Sequence, residues 1–172
     1  MRIITWMDRH GIAFWPFSLA LYQRPGVADA CLRLQDEAGA DVNLLLFCAW
    51  RAEIGLIDWA AGELQRAEAA LAPVRAVLLP YRQARRALKA LAASEPAAAG
   101  LYDKVKATEL RLEEIAQAYL TPLAQFSPAL RRALPLDAAE IAAAAERHLA
   151  AYAATLAQPD HPAIAELLAA IS

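Results

Sequence analysis

Residues that usually carry catalysis or bind metals are scarce in this chain of 172 residues: three histidines and two cysteines. His10, His148 and His161 are dispersed, and none stands three or four positions from another. Glu146 and His148 are two apart, whereas the di-metal motif of a bundle helix places Glu and His three apart so that both face inward. No metal and no cofactor are expected on this basis, and the histidines read as surface residues. Cys31 and Cys48 have neither redox nor zinc spacing and read as buried free thiols behaving as small apolar groups. A hairpin turning near Gly39 would place them equidistant from the turn, but a bridge needs aligned Cβ vectors that spacing alone does not supply.

Glycine is sparse as well, at six residues, and forms no phosphate-cradling loop. The Gly-x-Ser-x-Gly elbow and the His-Glu-x-x-His helix are also missing, which weighs against the common enzyme classes. Period-two alternation is absent and β-branched residues are few, so no strand is expected. The most apolar run, residues 42–50, is closed by Asp41 and Arg51 and is about half the length that a spanning helix requires. Residues 1–11 show no apolar signal core, so a cytoplasmic, reducing setting is expected. With a net charge of −2, no strong field of one sign points to a partner. The interleaved aromatics of single-strand binders are also missing, which makes nucleic acid an unlikely ligand.

What is present is helix. The hydrophobic fraction is 59% and mean hydropathy is +0.27, owed largely to alanine, the strongest helix former. The ten prolines fall mostly at helix ends. Phe14 opens the first helix, with Pro16 in its first turn, where a missing N–H costs nothing. Val27, Ala30, Cys31 and Leu34 form the stripe of a second helix that ends at Gly39. Asp41 caps a third, apolar nearly all round and therefore central, which Gly55 ends. A fourth is expected from Asp58–Trp59, and a long helix from Pro73 to Ala93, bent at Pro80. After a break at Ser94, capped by that serine, comes another helix. Val77, Tyr81, Ala84, Leu88 and Leu91 step by four and three, as do Leu101, Val105, Thr108, Leu112, Ile115 and Tyr119. That rhythm predicts a long antiparallel hairpin packed along these seams. Pro122, Pro128 and Pro135 interrupt the next stretch, Asp137 caps a helix to about Ala157, and a short helix ends the chain. The expected fold is all-α: a single-domain bundle of about six or seven helices over 1–172, with a loose N-terminus at 1–11.

Charge supplies the candidate surfaces. Residues 75–132 hold ten Lys/Arg against five Asp/Glu, and 133–172 hold one against five. Arg82, Arg85, Arg86 and Lys89 share one helix face, with Arg75 a heptad earlier; this stripe suits a protein partner, or the carboxylates Glu109, Glu113 and Glu114 of the next helix. Asp36, Glu37 and Asp41 cluster at a turn and read as caps and solvated ends. Asn43 is buried if the third helix is central, and a buried amide needs partners. Arg51 stands at that helix's far end with Trp50 and Trp59, which are core edge on one reading and the lining of a ligand cleft on the other.

The segment Phe14–Asp36, beginning Phe14-Trp15-Pro16-Phe17 and continuing through Arg24-Pro25-Gly26, together with Gly39–Trp50, resembles a family of small proteobacterial proteins of unknown function. The resemblance is close over about residues 12–60 and looser to about 120; residues 133–172 look like a variable extension. It implies no activity, cofactor or catalytic residue. The sequence therefore leaves the biochemical function unknown. The favoured reading is a cytoplasmic protein-interaction or regulatory module, leaning away from an enzyme, with Arg75, Arg82, Arg85, Arg86 and Lys89 as the partner surface. The alternative is a helical enzyme or small-ligand carrier with a pocket near Asn43, Arg51 and Trp59, Arg24 completing the ligand-binding set. A third is peripheral attachment to membranes through apolar helix faces.

Overall fold

A computed structural model describes residues 12–171; the expected loose N-terminus and His10 lie outside them. Among the described residues there are seven α-helices and no strand: α1 (Phe14–Tyr22), α2 (Val27–Ala38), α3 (Val42–Glu53), α4 (Glu63–Ser94), α5 (Ala99–Gln125), α6 (Ala138–Ala153) and α7 (Pro162–Ile171). Together they form a helical bundle, as the composition and periodicity predict.

The central role of α3 follows from its sequence. Every residue from Asn43 to Ala52 is buried, so the helix has no solvent face to spend on charge. Its start is fixed by Asp41, whose carboxylate accepts the Asn43 N–H, satisfying one of the orphan donors of the first turn. Gly39, at φ +74°, ends α2 in the left-handed conformation that glycine adopts without strain. Helices α1, α2, α5 and α6 all pack against α3, and α7 lies on α2 and α6. Asp137 caps α6 as expected, and with Glu140 it forms a full capping box: Glu140 N–H donates to Asp137, and the Asp137 N–H donates to Glu140.

Several expectations need correcting. Trp59 opens no helix of its own, and α4 runs unbroken from Glu63 through Pro73 and Pro80; α5 likewise passes Pro122. A proline removes one ladder bond, and burial of Leu64, Ala67, Leu71, Val74 and Leu78 on one stripe of α4 outweighs that loss at Pro73. Ser94 caps no new helix; its hydroxyl turns back to donate to the Leu91 carbonyl oxygen. The last long helix stops at Ala153 rather than Ala157.

The hairpin of α4 and α5 is present, but its seam is rotated from the predicted one. Val77, Leu91, Leu101, Ile115 and Tyr119 are exposed, while Tyr81, Arg82, Arg85, Leu88, Tyr102, Val105, Glu109 and Leu112 are partly covered. Charged residues share the seam because their methylene stems pack while their ends pair. A reading that assigns seams by apolar residues alone passes over them.

The two described histidines are not on the surface. His148 is 0% and His161 6% exposed. His148 lies on the stripe Ala144, Ala145, His148, Leu149 and Tyr152 that α6 turns inward, and its Nε2 is 2.8 Å from the Leu56 carbonyl oxygen. His161 receives the Ala163 N–H at 3.2 Å and faces Glu37 at 3.0 Å. Cys31 and Cys48 are buried and unbridged, and burial pushes both thiols up to about 12.

A candidate binding groove on α1, α3, α4 and α5

Asn43 stands in the first turn of α3, where it faces α5 across the core. Both polar atoms of its amide are engaged, as burial requires. The Asn43 Nδ2 donates to Glu113 Oε2, and its Oδ1 accepts from Gln117 Nε2 at 3.2 Å. Ser18 of α1 has one proton for two acceptors, Gln117 Oε1 and the Trp15 carbonyl oxygen, each at 2.9 Å. In the other direction Arg82 donates from Nη2 to Glu113 Oε1 at 2.5 Å and lies 3.7 Å from Glu109. Arg85 Nε then donates to Glu109 Oε2 at 2.5 Å. Seven side chains from four helices thus form one continuous polar network, Ser18–Gln117–Asn43–Glu113–Arg82–Glu109–Arg85.

This network floors a cavity of about 280 Å³. Trp15, Leu19, Leu32, Val42, Leu46 and Leu110 give it apolar walls, and Tyr22, Gln23 and Gln35 add uncharged polar groups. Leu19, Leu32 and Leu110 are 39%, 45% and 51% exposed, so the apolar rim faces water. The Tyr22 hydroxyl makes no hydrogen bond among the described residues. Burial, with help from Cys31 and Glu113, raises its pKa, against the opposing pull of Arg82 and Arg85, and the group stays a protonated donor at neutral pH.

The basic stripe proposed from the sequence is largely absorbed internally. Arg82 and Arg85 serve the network, Arg86 pairs with Asp36 at 2.8 Å, and Arg75 pairs with Asp41 at 2.9 Å. Lys89 is exposed and alone of the five makes no ion pair among the described residues. Of the proposed ligand set, Asn43 alone reaches the cavity. Arg24 is exposed and donates to the Ile171 carbonyl oxygen at 3.1 Å. Arg51 and Trp59 belong to a second, sealed cluster. There the Arg51 side chain is 0% and Glu63 2% exposed, with Arg51 Nη2 2.9 Å from Glu63 Oε2. The guanidinium lies 4.0 Å from the Trp59 ring centroid, and the His148 ring stands nearly perpendicular to that indole, 5.5 Å from it between centroids. Among the described residues Arg51 Nε and Nη1, Glu63 Oε1 and His148 Nδ1 find no hydrogen-bond partner. Burial, followed by the positive charge of Arg51, lowers the His148 pKa to about 4, so the ring is neutral. Burial works to raise the Glu63 pKa, but the hydrogen bonds from Arg51 and the Ala60 N–H help to outweigh it and the net change is downward.

Ser18, Tyr22, Glu109, Glu113 and Gln117 were not singled out as site residues from the sequence. The available signal was the spacing of Glu109, Glu113 and Gln117, four apart on one face of α5, opposite an arginine stripe with the same period. Among the described residues no group of three or more His, Cys, Asp or Glu is placed to hold a metal, and no helix is long and apolar enough to cross a membrane.

Compared with known proteins, the chain matches no curated protein and no solved structure. A family model described as "Protein of unknown function (DUF2390)" matches residues 13–120. All sixteen residues lining the groove lie inside that segment, from Trp15 to Gln117, whereas His148 of the sealed cluster lies outside it. The chain belongs to this family of proteins of unknown function.

Proposed function

We propose that the chain is a binding module for a small molecule, and that its site is the groove floored by Asn43, Glu113 and Gln117. The observation that carries this reading is the hydrogen-bonded polar floor beneath an open apolar rim. Four helices commit seven polar side chains to one network, and the space above them is left unfilled. Small-ligand sites have this composition, mostly apolar walls with a few fixed polar groups. A volume of 280 Å³ corresponds to about nine waters' share of liquid, which suits a ligand of about ten heavy atoms. No nucleophile paired with a base lines the groove, so the reading is of binding rather than turnover. The protein is taken to act as one domain, since α6 packs on α3 and α7 on α2. The bacterial cytoplasm is taken as its setting, which two unbridged buried thiols suit.

Protein capture is the second reading. Leu78 is the last buried residue of α4 and Ala116 the first buried residue within α5, so much of the hairpin contributes little to the core and exposes Leu79, Leu91 and Leu101. The arginine stripe lends it less support than the sequence suggested, because its charges are matched within the chain.

The test is amide-resolved NMR titration with a fragment library, compared with a Leu110→Trp variant that crowds the groove from its exposed rim. Shifts concentrated at Ser18, Asn43 and Gln117 and abolished in the variant are expected. Hits scattered over the surface, or unchanged by Leu110→Trp, would overturn the reading.

A further inference from the structure

The charges on the groove wall are already balanced, and this limits what can enter. Arg82 and Arg85 face Glu109 and Glu113, with two contacts of 2.5 Å, and all four side chains are largely covered, between 12% and 26% exposed. An ionised ligand would leave its hydration behind and meet no unmatched counter-charge. To gain one it must break an ion pair and strand the other partner in a covered site. The wall also carries uncharged polar groups, Tyr22, Gln23 and Gln35. The Tyr22 hydroxyl has no partner among the described residues, and it stands on α1 close to the apolar surface of Leu19 and Leu46, all three lining the same cavity.

We infer that the groove selects an uncharged amphipathic molecule, with an apolar body of roughly eight carbons against the walls and a single hydrogen-bond acceptor, an amide or similar carbonyl, received by the Tyr22 hydroxyl. The inference rests on the small-molecule reading of this groove and gives the ligand its chemical class. It separates neutral carbonyl compounds from the carboxylates that a row of arginines would suggest on sequence grounds. A carboxylate is recognised through guanidinium N–H groups in a bidentate fork, and here both guanidinium charges are already paired, Arg82 Nη2 with Glu113 and Arg85 Nε with Glu109.

Octanamide, octanoate and octylamine have nearly the same shape and differ in charge. Their binding to the intact chain at pH 7, followed by chemical-shift titration, tests the inference. Octanamide is expected to bind about tenfold or more tighter than either ion, a gap that corresponds to about 1.4 kcal/mol. Tyr22→Phe is expected to weaken octanamide about three- to tenfold, the share of one neutral hydrogen bond, without altering the fold. Octanoate or octylamine binding at the groove as tightly as octanamide would overturn the charge argument while leaving the groove as the site. Preference for octanamide with no effect of Tyr22→Phe would overturn the assignment of the acceptor. If no member of the series shifts Ser18, Asn43 or Gln117, while fragments of other shapes do, the ligand class is wrong and the groove stands. If nothing shifts them, the small-molecule reading itself fails.

Discussion

Arg51 and Glu63 meet at 2.9 Å in the core, with side chains 0% and 2% exposed. Neither charge has water to fall back on. The indole of Trp59 covers one face of the guanidinium, and the Glu63 Oε2 that accepts from Arg51 also accepts the Ala60 N–H at 3.0 Å. The pair therefore ties the end of α3 to the first turn of α4 across the intervening loop.

Removing one member leaves the other charged and buried. Glu63→Leu is expected to lower unfolding free energy by about 3 to 5 kcal/mol, the usual range for breaking a buried pair. Arg51→Met combined with Glu63→Leu is expected to recover a large part of that loss, because no charge is stranded. Urea unfolding of wild type, both single variants and the double variant checks this; equal losses in single and double variants would contradict it.

A second expectation concerns acid. The His148 pKa is lowered to about 4 from an ordinary 6.5, so between those values the unfolded chain takes up a proton that the native chain refuses. Stability is then full above pH 6.5 and falls as pH drops toward 4, by up to about 3 kcal/mol if this histidine acts alone. Glu63, whose pKa is held below the ordinary carboxylate value of 4.5, adds a loss in the same direction below that pH. Chemical denaturation at a series of pH values should show the decline between pH 6.5 and 4, and His148→Gln should flatten it.

The helices were legible in the sequence because their signals are local. Asp41 and Asp137 cap as their positions predict, Gly39 stops α2, and the nearly continuous apolarity of 42–50, interrupted only by Asn43, marks α3 as central. The groove was only partly legible. Asn43 was suspect because a buried amide demands partners, but those partners, Glu113 and Gln117, are 70 and 74 residues away. Nothing local tells Glu113, which reaches across to Asn43 and Arg82, from its neighbour Glu114, which pairs with Arg111 on its own helix. The same limit put His148 on the surface: its place on the α6 stripe was readable, but its acceptor, Leu56 O, comes from a distant loop.

Position along α4 decides what its arginines are worth. Arg86 and Asp36 are 59% and 54% exposed at the side chain, and pairs of that kind contribute about 0 to 1 kcal/mol. Arg82 is 13% exposed and holds the network that floors the groove. Arg86→Ala is expected to leave the urea midpoint nearly unchanged, and Arg82→Ala to lower stability by about 1 to 3 kcal/mol through the unpaired carboxylate it leaves at Glu113. If stability falls equally in the two variants, or only in Arg86→Ala, the network is not the structural floor described.

Two glycines give the sharpest contrast. Gly55 has φ +86°, and a Cβ placed there would lie 2.7 Å from the Arg132 carbonyl oxygen, a backbone atom that cannot rotate away. Its own carbonyl oxygen accepts the Arg132 N–H at 2.8 Å, next to the bridge between Leu56 and Arg131. Gly55→Ala thus combines a left-handed residue, unfavourable by about 1 to 2 kcal/mol, with displacement of the strap at 131–132 that lies over the end of α3. Gly100, in the first turn of α5, has nothing within 4 Å of its would-be Cβ, and Gly100→Ala should be neutral or stabilising by up to about 1 kcal/mol. Thermal melts of the two variants should move in opposite directions or nearly so. Limited proteolysis should cut the segment around 126–136 faster in Gly55→Ala alone, because only there does the substitution push the strap off its backbone partner.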